Sequence, residues 1–103
     1  MKSETLKLVR SYVDGEINAE HFAENFFDFF RVERDNNIFI LCADDYEVLT
    51  TIFCNLDCYN PQANKSEYEI SADTLLKRVR YLLGILDSGG NVSLACEDVM
   101  FIS

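Results

Sequence analysis

Apolar residues recur every three or four positions along much of this chain, the spacing that places them on one face of an α-helix. The first such stretch covers about residues 4–14 and is followed by Gly15, a residue suited to ending a helix. The second starts after Asn18, a favourable N-cap residue. Its apolar stripe consists of four aromatic residues: Phe22, Phe26, Phe29 and Phe30. This part of the chain therefore predicts two amphipathic helices.

Two further stretches with helical spacing follow. The third predicted helix runs from Ala43 to about Cys58. The fourth begins near Ser71 and ends at about Gly89, with the strongest apolar stripe of the chain in between. Four amphipathic helices with short connections favour an antiparallel four-helix bundle.

The segment at residues 91–103 keeps neither the helical period nor the alternation of a strand. Two interpretations stay open for it, a fifth helix or a packed extension. The predicted fold is therefore all-α: one domain over residues 1–103, an antiparallel four-helix bundle with a short C-terminal extension.

The composition supports a folded chain and limits its partners. Hydrophobic residues make up 49% of the 103 residues, too large a share for a disordered chain, and the length allows one core. The formal net charge is −9 and the pI is about 4.4. Nucleic acid and anionic membranes are bound through Lys and Arg, so we expect neither as a direct partner. The expected partner is basic.

The acidic residues are concentrated in the middle of the chain. Between Asp35 and Asp73 there are eight acidic residues and a single basic one, Lys65, so this stretch carries −7 of the total charge. Such a local excess has two interpretations, a solvated helix surface or a surface that attracts a basic partner. Tyr59 and Tyr68 bracket a loop that contains Pro61. Tyrosines are enriched at interfaces, which favours the second interpretation.

Targeting signals and metal motifs are not apparent in the sequence. The first residues lack the basic and apolar regions of a signal peptide, and no apolar run reaches the 18 or so residues of a membrane span, so we expect a cytoplasmic protein. No CxxC pair occurs, and the single histidine, His21, is remote from the cysteines. We expect no metal, no cofactor and small, buried, reduced thiols at Cys42, Cys54, Cys58 and Cys96.

Catalytic motifs are equally scarce. No Ser, Cys or Thr stands in a nucleophile motif, and the Gly89-Gly90 pair follows a helix, whereas a phosphate loop opens one. We therefore predict that the chain is not an enzyme. A small hydrolase that combines clustered carboxylates with a metal ion stays as an alternative, which metal-dependent turnover would distinguish.

The residues around the proline loop resemble a known family. Asp57-Cys58-Tyr59-Asn60-Pro61, followed after six residues by the segment from Tyr68 to Leu75, is similar to the colicin D immunity proteins. These belong to a wider family of bacterial self-protective, colicin-like immunity proteins. The shared pattern is an aromatic-x-Pro loop and a Tyr-Glu-Ile-Asp-type start of the last helix. The segment from Asp14 to Phe22 resembles the family's first turn and its phenylalanine-led second helix, so the resemblance covers about residues 4–86.

The resemblance implies a helical bundle that binds a toxin nuclease domain, a tRNase that cleaves anticodons, and covers its basic tRNA-binding cleft with an acidic face. Similar proteins accompany toxins of contact-dependent growth inhibition. We expect a free monomer that binds one toxin domain. The acidic residues expected to contact toxin lysines or arginines are Asp57, Glu67, Glu69 and Asp73. The tyrosines expected to pack against the toxin are Tyr59 and Tyr68. An earlier acidic group is expected to extend the negative potential: Asp44, Asp45 and Glu47.

The chain also departs from this family. The family's loop has acidic residues where this chain has Asn60, Gln62 and Asn64, and the segment after Ser88 is an addition. An alternative function is therefore an acidic adaptor domain that binds an unrelated basic protein or peptide through the same face. A neighbouring gene for a toxin C-terminal domain would distinguish the two.

Overall fold

The computed structural model describes residues 3–37, 43–59 and 70–102, and most of these residues are helical. The helices are α1 (Glu4–Val13), α2 (Ala19–Asp35), α3 (Ala43–Asp57), α4 (Ala72–Ser88) and α5 (Val92–Asp98), followed by a single 3₁₀ turn at Val99–Phe101. The prediction of an all-α helical bundle is confirmed.

The helix ends follow from local hydrogen bonding. Each of four polar N-cap side chains accepts a hydrogen bond from the backbone N–H three residues later: Ser3, Asn18, Ser71 and Asn91. Gly15 and Gly89 have φ values of 82° and 73°, a left-handed conformation that glycine adopts without steric cost. The predicted starts at Asn18 and Ser71 and the predicted ends near Gly15 and Gly89 are therefore confirmed.

The four long helices pack in a ring, in which α1 contacts α2, α2 contacts α3, α3 contacts α4, and α4 contacts α1. The centre of the ring holds fully buried apolar side chains from all four helices, including Val9, Phe22, Phe26, Leu49, Ile52, Leu75 and Leu82. Tyr12 stacks on Phe22 with ring centroids 4.3 Å apart. The prediction of Phe29 as a core residue is wrong, because its side chain is 39% exposed at the edge of the α2 stripe.

A buried carboxylate joins the antiparallel helices α1 and α2. Glu33, near the C-terminal end of α2, accepts hydrogen bonds from the Ser3 and Thr5 hydroxyls and from the backbone N–H groups of Glu4 (2.7 Å) and Thr5 (3.1 Å). Burial acts to raise the pKa of Glu33, but these four donors outweigh it and lower the pKa below the ordinary value of 4.5. The positive end of α1 is thus held against the negative end of α2 by one charged side chain.

The segment after Gly89, for which a fifth helix and a packed extension were both open, forms a helix and packs against the bundle. Helix α5 packs on α3 and α4 and buries Val92, Ala95 and Val99. The buried Arg78 of α4 then holds the 3₁₀ turn, because its guanidinium donates to the carbonyls of Met100 (3.2 Å) and Ile102 (2.9 Å). The same guanidinium donates to the Asn55 side chain of α3 at 2.8 Å.

The cysteines differ from the prediction. Cys54 is exposed and not buried, because it lies on the outer side of α3. Cys58 and Cys96 are half-buried, and Cys42 lies outside the described residues. Burial raises the pKa of the Cys96 thiol, which donates to the Glu47 carbonyl. Among the described helices, none combines the length and the apolar character that crossing a membrane requires.

Candidate functional site

Six of the nine predicted contact residues lie in the described part of the chain, and they occupy the two ends of α3. Asp44, Asp45 and Glu47 lie at its N-terminal end, while Asp57, Tyr59 and Asp73 lie at or beyond its C-terminal end. The other three, Glu67, Tyr68 and Glu69, fall outside the described residues. At 1.5 Å per residue, Asp44 and Asp57 are about 20 Å apart along the helix. The structure therefore places the predicted residues in two groups.

The N-terminal group has structural roles of its own. Asp44 and Asp45 lie in the first turn of α3, where the helix dipole favours negative charge. Burial raises the pKa of Asp45, the charge of Asp44 adds to the rise, and the Arg10 guanidinium opposes it. The Glu47 carboxylate accepts a hydrogen bond from Ser93 of α5 at 3.2 Å. These acids therefore support α3 and its contact with α5 as well as contributing charge.

The C-terminal group surrounds the place where α3 and α4 approach each other. The Ile70 N–H donates to the Cys58 carbonyl at 2.8 Å, so the end of α3 lies beside the start of α4. Asp57 and Asp73 are exposed on either side of this contact, and Tyr59 is half-buried against the core. This packing leaves only part of Tyr59 accessible to the partner that the sequence predicts.

Tyr12 is a member of this group that the sequence did not reveal. Burial, together with the nearby Tyr59 and Asp73, raises the pKa of the Tyr12 phenol to about 12. The last turn of α1 therefore lies near Tyr59 and Asp73, with its tyrosine in the neutral form. Its signal in the sequence was only an aromatic residue on a helical stripe, which is also the signal of an ordinary core residue.

Helix α5 adds two acids beside α3. Glu97 and Asp98 are exposed, and no Lys or Arg occurs in the sequence after Arg80. Helix α3 itself contains four acids and no Lys or Arg. We define the α3–α5 surface by the acids of these two packed helices: Asp44, Asp45, Glu47, Asp57, Glu97 and Asp98. The sequence indicates that the two α5 acids have no basic neighbour, because no Lys or Arg follows Arg80. Their proximity to α3 depends on tertiary packing, which the sequence pattern does not specify.

Four acids elsewhere in the described chain form ion pairs with cations. The four ion pairs among the described residues are Glu4–Lys7, Asp28–Arg31, Asp35–Arg34 and the pair between Asp87 and Arg10, with N–O distances of 2.8–3.6 Å. The Arg10–Asp87 pair is bidentate, and the hydrogen bond to Arg10 holds the pKa of Asp87 below its ordinary value. None of these four pairs uses an acid of the α3–α5 surface, of which Asp44, Asp57, Glu97 and Asp98 are exposed.

The chemistry available to this surface is electrostatic attraction. Within residues 3–37, 43–59 and 70–102, no three His, Cys, Asp or Glu side chains are grouped so that they could hold a metal ion. Carboxylates spread over two packed helices provide a broad negative potential, which accelerates encounter with a positive surface and selects against a negative one.

A comparison with protein families gives a match over residues 1–86 to the family model described as bacterial self-protective colicin-like immunity. Comparisons with curated proteins and with solved structures give no match. The matched region contains α1, α2, α3, all but the last two residues of α4 and both acidic groups, whereas α5 lies beyond it. With more than four-fifths of its length matched, the chain belongs to the family of bacterial self-protective, colicin-like immunity proteins.

Proposed function

We propose that this immunity protein binds a cognate bacterial nuclease toxin, of the tRNase kind, and neutralises it by covering the toxin's basic substrate cleft. The observation that carries the proposal is that neither of the two packed helices that form the α3–α5 surface contains a Lys or Arg, in a chain of this family. A nuclease must attract phosphates with Lys and Arg, so its cleft is complementary to a carboxylate-rich surface. The binding takes place in the cytoplasm of the producing cell, with one monomeric immunity protein per toxin domain.

Asp57 provides the strongest single argument within this surface. It is the last residue of α3, where the helix dipole disfavours negative charge, and no basic residue occurs in the last turn to compensate it. Among the described residues it has no ion pair and no side-chain hydrogen bond. A carboxylate that the dipole of its own helix disfavours is readily explained by a contact with a basic residue of a partner.

Asp73 and Tyr59 extend the same contact. Asp73 lies in the first turn of α4, next to the end of α3 that carries Asp57. Tyr59 contributes packing area from its accessible part. Glu67, Tyr68 and Glu69, between these positions in sequence, belong to the same proposed contact.

A growth assay tests the proposal. The toxin domain encoded beside this chain's gene is expressed in a sensitive bacterium, with and without the chain, and growth and cleavage of tRNA are scored. Expected is arrest with the toxin alone and growth with intact tRNA when the chain is present. Continued arrest in the presence of well-expressed, folded chain would contradict the proposal.

A matched pair of double variants tests the surface. Asp57→Lys with Asp73→Lys reverses two acids of the proposed contact, and Glu20→Lys with Glu24→Lys makes the same charge change on exposed positions of α2. Expected is loss of protection only for the first pair, because like charges at a docked interface cost several kcal/mol, about 2–5 for each desolvated pair. Equal protection by both variants would remove these residues from the site.

The alternative of an adaptor domain predicts a different result. Such a chain would bind a basic protein that is not a toxin, through the same acids, and would give no protection in the growth assay. The family match favours the inhibitor.

A further inference from the structure

The last described residues carry an exposed apolar group that the proposed acidic contact does not account for. Phe101 is 86% exposed, Leu94 51% and Met100 50%, three of the six large hydrophobic side chains that are exposed in the described residues. Leu94, Asp98 and Phe101 are spaced at i, i+4 and i+7, so the helix and its 3₁₀ turn present them towards the same side. We name Leu94, Met100 and Phe101, with the flanking Glu97 and Asp98, the Phe101 patch.

The patch is held in place by the fold. Val92, Ala95 and Val99 anchor the segment in the core, and Arg78 binds the carbonyls on both sides of Phe101, those of Met100 and Ile102. Because the backbone is fixed in this way, the segment needs little further ordering when a partner covers it. The exposure of Phe101 is thus a feature of an ordered backbone.

The patch lies along the α3–α5 surface. Ser93 contacts Glu47 near the start of α3. The Arg78 guanidinium binds Asn55 near the end of α3 and also the carbonyls of Met100 and Ile102. The segment therefore follows α3 from one acidic group towards the other. An apolar centre with charged residues at its rim is the usual composition of a protein interface.

The charge of the patch indicates its occupant. Glu97 and Asp98 flank the apolar side chains, and no Lys or Arg occurs between Tyr81 and Ser103. A second copy of this chain would bring a net charge of −9 against the same acids, so self-association is disfavoured. A basic surface with an apolar depression is complementary to the patch both in charge and in its exposed apolar side chains.

We propose that the Phe101 patch is a second contact for the cognate toxin, in which Phe101 fills an apolar pocket bordered by toxin Lys or Arg residues. This inference rests on the proposed function and adds to it, because α5 and its 3₁₀ turn lie outside residues 1–86, the region that matches the family. The patch accordingly confers selectivity for this chain's own toxin, and the acids of α3 provide the attraction expected for any basic nuclease of this kind.

Binding of the purified, catalytically inactivated toxin domain encoded beside this chain's gene tests the proposal by calorimetry. Expected for Phe101→Ala is a loss of affinity of about tenfold or more, as for an aromatic residue at the centre of an interface, with an unchanged melting temperature. Val32→Ala is the matched control, since Val32 is 56% exposed on α2, and it should change the affinity less than about twofold. Phe101→Trp keeps an aromatic ring and should restore most of the affinity.

The outcomes separate this proposal from the proposed function. If the unaltered chain binds the toxin and Phe101→Ala binds it equally well, the Phe101 patch is not a contact while the inhibitor function stands. If the unaltered chain does not bind the toxin domain, both proposals fail. A dimer of the free chain in sedimentation velocity that Phe101→Ala dissociates would assign the patch to self-association and overturn the proposal.

Discussion

Glu33 and Asp57 occupy equivalent positions in two helices and have opposite environments. Each is a carboxylate in the last turn of its helix, where the dipole disfavours negative charge. Glu33 is buried and receives four hydrogen bonds from the start of α1, whereas Asp57 is exposed beside a turn with no basic residue. The fold of this chain compensates the first acid and not the second, which we propose to contact a partner. A count of acidic residues does not make this distinction, but the donors around each carboxylate do.

Removing Glu33 has the largest expected effect on stability. Glu33→Ala leaves two hydroxyls and two backbone N–H groups without their acceptor, and a hydrogen bond to a charged group contributes about 1.5–3 kcal/mol net of its exchange with water. We expect a loss of about 3 kcal/mol in the free energy of unfolding, measured by urea titration. Glu24→Ala, an exposed change on the same helix, is the control and should stay within about 0.5 kcal/mol. Equal stability of the two variants would contradict the structural role of Glu33.

The buried cation Arg78 extends the comparison to the C-terminal segment. Arg78→Met removes the donors to Asn55, Met100 and Ile102, and we expect a loss of about 2 kcal/mol together with faster amide hydrogen exchange in α5. Arg31→Met removes only an exposed ion pair on α2 and should cost less than about 1 kcal/mol. Unchanged exchange in α5 after Arg78→Met would show that the apolar contacts alone hold the segment.

Acid pH should weaken the Glu33 contribution specifically. Its pKa is lower in the folded chain than the ordinary value of 4.5, so its stabilisation is complete above that value and is lost as the pH falls through the folded pKa. The difference in unfolding free energy between the unaltered chain and Glu33→Gln should be constant above about pH 5.5 and should shrink at lower pH. A difference that grows on acidification would contradict the sign of this pKa shift.

Removing Asp57 has the smallest expected effect, and the opposite sign. Asp57→Asn removes a charge that the dipole of α3 disfavours, so we expect a gain of about 0.3–1 kcal/mol in the free energy of unfolding at low salt. The gain should decrease when salt screens the dipole. Destabilisation by more than about 1 kcal/mol would assign Asp57 to the fold and end its contrast with Glu33.

The helices could be predicted because their signals are local. The N-caps at Asn18 and Ser71 and the glycines at positions 15 and 89 act within one turn, and the apolar period records which side of each helix is buried. The C-terminal segment could not be assigned, because α5 is short and its position depends on Arg78, which joins residues distant in sequence. The exposure of Phe29 likewise depends on the neighbours that α2 meets, which periodicity does not specify.

The candidate site was predictable to a similar extent. The concentration of acids around α3 follows from the sequence, and the match over residues 1–86 confirms the family resemblance. The contact roles of Asp57 and Tyr59 stay predictions. The grouping of Glu97 and Asp98 with α3 required the packing of α5. The internal role of Glu33 required its hydrogen-bond donors, which lie 28–30 residues away in sequence.

The most direct test measures how tightly the Asp57→Asn variant binds the inactivated cognate toxin domain. The dissociation constant is measured at two salt concentrations, and the melting temperature of the free variant is measured as well. The account predicts a variant that is at least as stable as the unaltered chain, yet binds the toxin about tenfold or more weakly, with a smaller dependence of affinity on salt. Undiminished affinity and an unchanged salt dependence would contradict the claim that the acids left uncompensated by this fold serve its partner.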